Sequence, residues 1–239
     1  MDGLPGSAYS LPAMIAERPV TLSTADGVPV EARLAVPDLP AGAMVVAHPH
    51  PLYGGDMDNP VVVRVAEVCR QRGWATLRFN FRGVGRSGGT HDEGRGERRD
   101  VEAAWLALAG AVPPGTPLAL AGYSFGATVV AAAATGRGGE PPPAGLLLVA
   151  PPLALGADGT AQALQGFAAP VLVVAGDRDE YCPPARLAEL VRALPRVEVR
   201  TVPGANHFFF GRLYPLGEMV GDWIARLEAG QAGRRGAAG

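Results

Sequence analysis

The chain has 239 residues, of which 48% are hydrophobic and 18% charged, a composition typical of one globular domain whose core needs neither disulfides nor a structural metal. The net charge of −2 provides no basic surface, so nucleic acid is not an expected partner. All 21 lysine-plus-arginine residues are arginine, which excludes enzymes that use a Schiff-base, pyridoxal-phosphate or P-loop lysine.

Short apolar runs alternate along the chain with segments of helical periodicity. This alternation indicates an α/β protein with a mostly parallel sheet, in which ligands bind at the carboxyl ends of the strands. Functional side chains are therefore expected in the loops that follow strands. In chain order the sequence predicts strands Val30–Val36 and Met44–Ala47, helix Pro60–Arg72 with Asn59 as its N-cap, strand Ala75–Asn80, helix Glu97–Ala109, strand Leu118–Ala121, helix Phe125–Thr135, strands Leu146–Val149 and Val171–Ala175, a helix that carries Leu187, Leu190, Val191 and Leu194, strand Val197–Val202 and a last helix near Leu216–Leu227.

The two ends of the chain and its cysteines bear on domain organisation and location. Residues 1–17 and 229–239 lack periodicity, which predicts a flexible N-terminus and a disordered tail around one domain of residues 18–228. The first residues lack the features of a signal peptide, and no apolar run approaches the roughly 18 residues of a membrane span. Cys69 and Cys182 have no CxxC spacing, which argues against metal and disulfide frameworks and makes the cytoplasm the expected location.

Residues 83–88 read GVGRSG and match the GxGxxG pattern of dinucleotide-binding loops. That fingerprint requires a helix that opens at once on the pyrophosphate and an acidic residue at the end of the next strand. Here Gly88, Gly89 and Thr90 continue as loop, and the nearest acidic candidate, Glu102, lies inside a predicted helix. A dinucleotide is therefore not expected at this loop.

The pattern GxSxG occurs twice, around Ser87 and around Ser124. A nucleophile elbow joins a buried strand directly to a helix, and its glycines let the two elements approach closely. Ser124 lies between the predicted strand Leu118–Ala121 and the predicted helix Phe125–Thr135, whereas Ser87 has loop on both sides. Ser124 is therefore the candidate nucleophile, and the alternative interpretation is that it only caps the helix.

A serine nucleophile needs a base to take its proton and a carboxylate to orient that base. His207 follows the predicted strand Val197–Val202 through a short turn and is the candidate base, against the alternative of a histidine with no catalytic role. Asp177 and Asp179 both follow the predicted strand Val171–Ala175; Asp179 is the preferred acid, and Asp177 remains the second choice. The chain order of serine, aspartate and histidine is that of α/β-hydrolases.

The oxyanion that forms on a carbonyl during serine attack needs N–H donors. The N–H of Phe125, at the start of the helix after the candidate nucleophile, is one expected donor. The other is expected in the loop after strand Met44–Ala47. Because Pro49 and Pro51 have no N–H, only His50, Leu52 or a later residue of the loop can donate, and His50 is the first choice.

The remaining histidines allow other interpretations. His48 and His50 could ligate a metal with Asp56 or Asp58, but no third histidine follows at a ligand spacing, so no metal site is predicted. His91 lies in the glycine-rich loop and is interpreted as a solvated residue.

Four stretches of the sequence resemble signature stretches of the small bacterial branch of the α/β-hydrolase superfamily. They are similar to those of dienelactone-hydrolase-like proteins, which are often described only as predicted serine hydrolases. The stretches are HPHPLYGG at 48–55, FNFRGVGRS at 79–87, GYSFG at 122–126 and GANHFF at 204–209, and the likeness covers residues 20–227. The chain departs from the family pattern at Asn206, where aspartate is expected, and at Tyr123, where phenylalanine is common.

The resemblance implies an α/β-hydrolase fold with helices on both faces of the sheet and no large cap domain. It implies nucleophile, acid and base roles for Ser124, Asp179 and His207, and an oxyanion role for the loop at His50. It also implies that the loop Gly83–Gly89 is a structural turn.

The predicted site is open. Only about 20 residues separate two predicted strands, Leu146–Val149 and Val171–Ala175, at the point where larger relatives insert a helical cap. An open, shallow site favours small or protruding acyl groups. Its walls are expected to include Leu52, Tyr53, Phe125, Tyr181 and Phe208, although aromatic residues at these places could equally fill the core.

The sequence thus predicts a serine hydrolase that cleaves a small-molecule carboxylic ester or thioester through an acyl-serine intermediate, without a cofactor. One alternative is a related protein recruited for acyl transfer or cyclisation in biosynthesis. Another is a degenerate member of the superfamily that only binds a ligand or partner. Amidase and lactonase activities differ from esterase activity only in pocket shape and leaving group, and the sequence does not separate them.

Overall fold

A central sheet organises the part of the chain that the computed structural model describes, which is residues 15–135, 142–155, 158–194 and 196–237. Its strands are β1 (Arg18–Ser23), β2 (Pro29–Ala35), β3 (Ala43–Ala47), β4 (Ala75–Phe79), β5 (Leu118–Tyr123), β6 (Leu146–Val149), β7 (Val171–Gly176) and β8 (Val197–Val202). Within these described ranges the eight strands lie in the order β1-β2-β4-β3-β5-β6-β7-β8. Strand β2 pairs antiparallel with β1 and β4, and all other neighbours pair in parallel, which confirms the mostly parallel sheet.

Helices cover both faces of this sheet. As a result, every residue of β3, β4, β6 and β7 is buried. Helix–helix packing joins α1 to α6 and joins both α2 and α4 to α3. The helices are α1 (Pro60–Gln71), α2 (Arg95–Ala111), α3 (Phe125–Thr135), α4 (Asp158–Leu164), α5 (Pro184–Ala193) and α6 (Leu213–Ala237), with short 3-10 turns at Pro51–Tyr53 and Leu153–Leu155.

Helix α1 begins where the sequence predicts. The Asn59 side chain accepts a hydrogen bond from the N–H of Val61 at 3.0 Å, and Pro60 occupies the first helical position. The proline needs no partner there because it has no N–H to satisfy.

Strand β1 is an element that the sequence analysis missed. Because β1 is an edge strand of the sheet, only Leu22 of its six residues is buried. Its sequence therefore lacks the hydrophobic alternation by which a strand is recognised. The chain just before β1 is also fixed: Glu17 binds the guanidinium groups of Arg70 and Arg78, the latter at 2.7 and 2.9 Å. The predicted flexible segment of residues 1–17 is therefore wrong for Glu17, whereas residues 1–14 lie outside the described residues.

The last helix is longer than predicted at both ends. It begins at Leu213 and continues to Ala237, through most of the segment 229–239 for which the sequence predicts disorder. The physical reason is the content of alanine, arginine and glutamine, which are strong helix formers, between the glycines that suggested disorder. Just before this segment, Glu228 accepts hydrogen bonds from Trp74 at 2.7 Å and Arg72 at 2.9 Å, which fastens α6 to the turn after α1.

The described residues of the connection from β6 to β7 form only the 3-10 turn Leu153–Leu155, helix α4 and loop, with no cap domain among them. Across the described ranges, no helix combines the length and the apolar character that a membrane crossing requires.

Candidate active site

Ser124 occupies a sharp turn between β5 and α3, with a backbone φ of +54°. Such a left-handed conformation is strained for a residue with a side chain, and it is held here because two glycines let the backbones approach. A Cβ atom at Gly122 would collide with the carbonyl oxygen of Gly126, and one at Gly126 would collide with the carbonyl oxygen of His48. The turn presents the Ser124 hydroxyl at the carboxyl end of the sheet.

The structure brings Ser124, His207 and Asp179 into one hydrogen-bonded chain. The Nε2 atom of His207 lies 3.0 Å from the Ser124 oxygen, and its Nδ1 atom lies 2.9 and 3.0 Å from the two Asp179 oxygens. Because an ionised carboxylate can only accept, Nδ1 carries the proton and Nε2 is free to accept the serine proton. Both His207 and Asp179 are buried.

The two aspartates that the sequence left as alternatives have different partners. One oxygen of Asp179 accepts the N–H groups of Tyr181 and Cys182, each at 2.9 Å, which orients the carboxylate towards His207. Asp177 instead accepts the N–H of Gly204 at 2.7 Å and joins the loop after β7 to the loop after β8. The structure therefore places Asp179, the preferred candidate, at the histidine.

His207 is held from its backbone as well as from its ring. The buried hydroxyl of Tyr123 donates a hydrogen bond to the His207 carbonyl at 2.9 Å. The next turn contains Phe209 with a φ of +54°, and Asn206 accepts the N–H of Phe208 at 3.1 Å. Tyr123, the residue before the candidate nucleophile, is thus tied directly to the loop that carries the candidate base.

The N–H groups expected to stabilise an oxyanion are those of Phe125 and His50. Within the described chain, neither N–H donates to a protein acceptor. The loop at His50 is rigid, because the His50 carbonyl accepts the N–H groups of Tyr53 and Gly55 at 3.1 Å and its Nδ1 accepts that of Leu52 at 3.2 Å. Burial, together with the nearby ring of His91, lowers the pKa of His50.

His48 has a structural role that leaves no ring nitrogen for a metal. Its Nε2 accepts the N–H of Phe81 at 2.9 Å, so its Nδ1 carries the proton and donates to the Pro49 carbonyl at 2.6 Å. Complete burial lowers the pKa of His48 to about 4. Among the described residues, no group of three potential metal ligands occurs.

His91 is not the solvated residue that the sequence suggested. Its Nδ1 lies 2.8 Å from the buried carboxylate of Glu97, and its ring contacts those of His50 and Phe125 at 4.8 and 5.4 Å. The sequence around His91 does not indicate this buried environment, because Glu97 comes close to the loop only when the first turn of α2 has formed.

The second GxSxG motif is a structural turn. The Ser87 hydroxyl donates to the Asn80 carbonyl at 2.7 Å and accepts the N–H of Glu31 at 2.9 Å. Within the same loop, the N–H of Gly83 donates to the Gly88 carbonyl at 2.9 Å. The loop is therefore fixed by hydrogen bonds to itself, to β2 and to the end of β4, consistent with the structural turn that the resemblance implied.

A cavity of about 660 Å³ opens around Ser124. Tyr53, Tyr181 and Phe208 line it as expected, but Leu52 does not: its side chain is 70% exposed and lies outside the lining. Leu52 and Tyr53 are consecutive in a tight 3-10 turn, so their side chains leave the turn in different directions. The cavity is also lined by four residues that the sequence did not predict for the site: Asn59, Thr128, Pro152 and Leu155.

A larger cavity of about 830 Å³ lies at the opposite end of the central strands, beside the starts of β5 and β6. Its described lining contains neither Ser124 nor any other predicted site residue. The size of a cavity alone therefore does not identify the site.

Comparison with known proteins places the fold and the site in context. Residues 40–214 match the alpha/beta hydrolase domain family. The chain is 30% identical to an uncharacterized protein of Rickettsia prowazekii over 84% of this chain and 86% of the relative. An alpha-beta serine hydrolase homologue from Coxiella burnetii is 35% identical, with a TM-score of 0.77 over 86% of this chain and 96% of that chain. A lidless α/β serine hydrolase from Xanthomonas campestris is 31% identical, with a TM-score of 0.77 over 88% and 94% of the two chains.

Proposed function

Because the chain belongs to the alpha/beta hydrolase family, and is therefore a hydrolase, we propose that it cleaves carboxylic esters through an acyl-serine intermediate. In this proposal Ser124 is the nucleophile, His207 the general base and acid, and Asp179 the carboxylate that orients His207. The observation that carries the proposal is the continuous hydrogen-bonded chain from the Ser124 hydroxyl, at 3.0 Å, through the His207 ring to Asp179, at 2.9 Å.

The first half of the proposed reaction transfers the acyl group to the enzyme. The Ser124 oxygen bonds to the ester carbonyl carbon while its proton passes to Nε2 of His207, and the carbonyl oxygen becomes an anion. The N–H groups of Phe125 and His50 are the proposed donors to that anion. The bond to the alcohol oxygen then breaks, and His207 returns the proton to the departing alcohol.

The second half uses water in place of the alcohol. His207 takes a proton from water, the resulting hydroxide attacks the acyl-serine, and the carboxylic acid leaves as the proton returns to Ser124. The described part of the β6–β7 connection contains no cap that would exclude water from the intermediate, which favours hydrolysis over acyl transfer in this proposal. Thioesters would follow the same steps with a thiol as leaving group.

The competing view of a degenerate, binding-only member of the family is less consistent with these contacts. Asp179 accepts two backbone N–H groups in addition to the His207 proton. A site kept only to bind a ligand would not need a buried carboxylate oriented in this way.

The decisive experiment compares the two serines that share the GxSxG pattern. We expect Ser124→Ala to lower the hydrolysis of p-nitrophenyl butyrate by at least about a thousand-fold, because it removes the hydroxyl that is hydrogen-bonded to His207, and to abolish labelling by a fluorophosphonate probe. The matched control is Ser87→Ala, which loses the two structural hydrogen bonds of Ser87 but should remain labelled at Ser124.

Turnover that survives in folded Ser124→Ala protein, or a probe attached to Ser87, would refute the assignment. The folded state of both variants is checked by circular dichroism and by their thermal unfolding.

A further inference from the structure

Aromatic rings flank Ser124 on two sides. On the side of the proposed oxyanion donors, the rings of Tyr53 and Phe125 each lie 4.8 Å from that of His50. On the side of the proposed base, the rings of Tyr181 and Phe208 lie 4.7 and 5.6 Å from that of His207. The cavity therefore has flat side chains both beside the proposed oxyanion donors and beside the proposed base.

The rings beside His207 are partly exposed to solvent. Tyr181 is 42% exposed and Phe208 is 53% exposed, although the burial of either ring would be favourable. Large apolar side chains that remain in contact with water around a cavity mark a binding surface for an apolar group. These two rings form the surface that we call the base-side arm.

The chemistry of the proposed reaction determines which half of an ester enters the base-side arm. Nε2 of His207 must return a proton to the departing alcohol oxygen, so that oxygen lies next to the His207 ring. The group attached to the alcohol oxygen therefore extends towards Tyr181 and Phe208. The acyl group extends towards Tyr53 and Phe125, on the side of the proposed oxyanion donors.

The cavity lacks charged partners for a substrate. Among its described lining residues there is no aspartate, glutamate or arginine, and His50 is the one histidine there besides His207. A carboxylate on the substrate would lose water on entering this cavity without gaining a counter-ion, which is costly.

We propose that the preferred substrate is a neutral ester whose alcohol part carries a flat aromatic ring, and that this ring packs against Tyr181 and Phe208. This inference rests on the proposed ester hydrolysis. It adds the substrate class, which the hydrogen-bonded chain alone does not specify.

The substrate test uses pairs that differ in one property. Benzyl butyrate and cyclohexylmethyl butyrate have leaving alcohols of similar size and basicity, and only the first carries a flat ring. We expect kcat/KM to be about three- to ten-fold higher for the benzyl ester, the effect of one aromatic contact. Monobenzyl succinate has the same chain length as benzyl butyrate but carries a carboxylate, and we expect its kcat/KM to be lower by more than about ten-fold.

The variants test which side chains cause the preference. Tyr181→Leu and Phe208→Leu should reduce the benzyl to cyclohexylmethyl ratio towards one, because each removes one ring of the base-side arm. The ratio is informative because a general disturbance of His207 would lower both rates together. The matched control is Tyr214→Leu, since Tyr214 is 70% exposed and lies outside the cavity lining, so the ratio should stay at the wild-type value.

The outcomes separate this inference from the proposed function. Labelling of Ser124 by the fluorophosphonate, together with a benzyl preference that Tyr181→Leu or Phe208→Leu removes, supports both. Labelling and ester hydrolysis with equal rates for the two butyrates, or with full activity on monobenzyl succinate, overturns the substrate class alone. A wild-type protein that neither reacts with the probe nor hydrolyses any of the three esters overturns the proposed function and this inference with it.

Discussion

Tyr123 directly precedes the proposed nucleophile, and its hydroxyl donates a hydrogen bond to the backbone carbonyl of His207, the proposed base. Because this hydrogen bond of 2.9 Å is buried, Tyr123→Phe removes one bond and leaves the His207 carbonyl without its partner. We expect the free energy of unfolding to fall by about 1 kcal/mol and kcat for ester hydrolysis to fall several-fold, with KM nearly unchanged. Urea unfolding and steady-state kinetics measure these effects.

The control for Tyr123→Phe is Tyr214→Phe, which changes an exposed ring outside the cavity and should alter neither quantity. Wild-type kcat in Tyr123→Phe would show that the hydrogen bond does not position the base.

At the scale of single residues, the sequence could identify residues whose expected role follows from their position at the end of a predicted strand. Ser124 and His207 are of this kind, and the structure brings them together. Properties that depend on contacts distant in sequence could not be predicted in this way. The pairing of His91 with Glu97 and the outward direction of Leu52 both arise from how a loop is folded, which neighbouring residue types do not reveal.

The junction between β5 and α3 depends on close backbone contact with the end of β3. A Cβ at Gly126 would collide with the carbonyl oxygens of Ala47 and His48, so Gly126→Ala must push α3 away from β3. That displacement would move the Phe125 N–H relative to His50. We expect the free energy of unfolding to fall by about 2 kcal/mol and ester hydrolysis to fall by about a hundred-fold.

The same substitution elsewhere in a helix serves as the control. Gly110 lies inside α2, and a Cβ there would meet no atom within 4 Å. Gly110→Ala should therefore leave activity unchanged and raise the free energy of unfolding by about 0.5–1 kcal/mol. An active, equally stable Gly126→Ala protein would contradict the importance of this contact.

At the scale of elements, buried strands and amphipathic helices could be predicted because their hydrophobic pattern reflects their burial. Strand β3 is an example, since all five of its residues are buried. Strand β1 could not be predicted in this way, because an edge strand with one buried residue has no comparable hydrophobic pattern. The end of α6 was missed because glycine content suggested disorder where the backbone continues as a helix.

The stability of the whole molecule should depend on pH through His48. This histidine links the end of β3 to the chain just after β4, and burial lowers its pKa from 6.5 to about 4 in the folded protein. Between these values the unfolded chain binds the proton and the folded protein does not, so stability is complete above pH 6.5 and declines as the pH falls towards 4.

We expect His48 to account for a loss of about 2 kcal/mol in the free energy of unfolding between pH 7 and pH 5. The measurement is urea unfolding at the two pH values, compared with the same measurement on His48→Gln, which cannot titrate. An equal pH dependence in the two proteins would show that His48 is not responsible.

Both cysteine thiols are fully buried. Cys69 lies inside α1, where burial raises its pKa to about 12, and Cys182 lies beside Asp179, where burial also raises the pKa. Neither sulfur should react with an alkylating agent until its own surroundings open. Alkylation of Cys182 would then report opening of the loop that carries the acid, and alkylation of Cys69 would report loss of the core, so local and global opening can be timed separately in the unmodified protein.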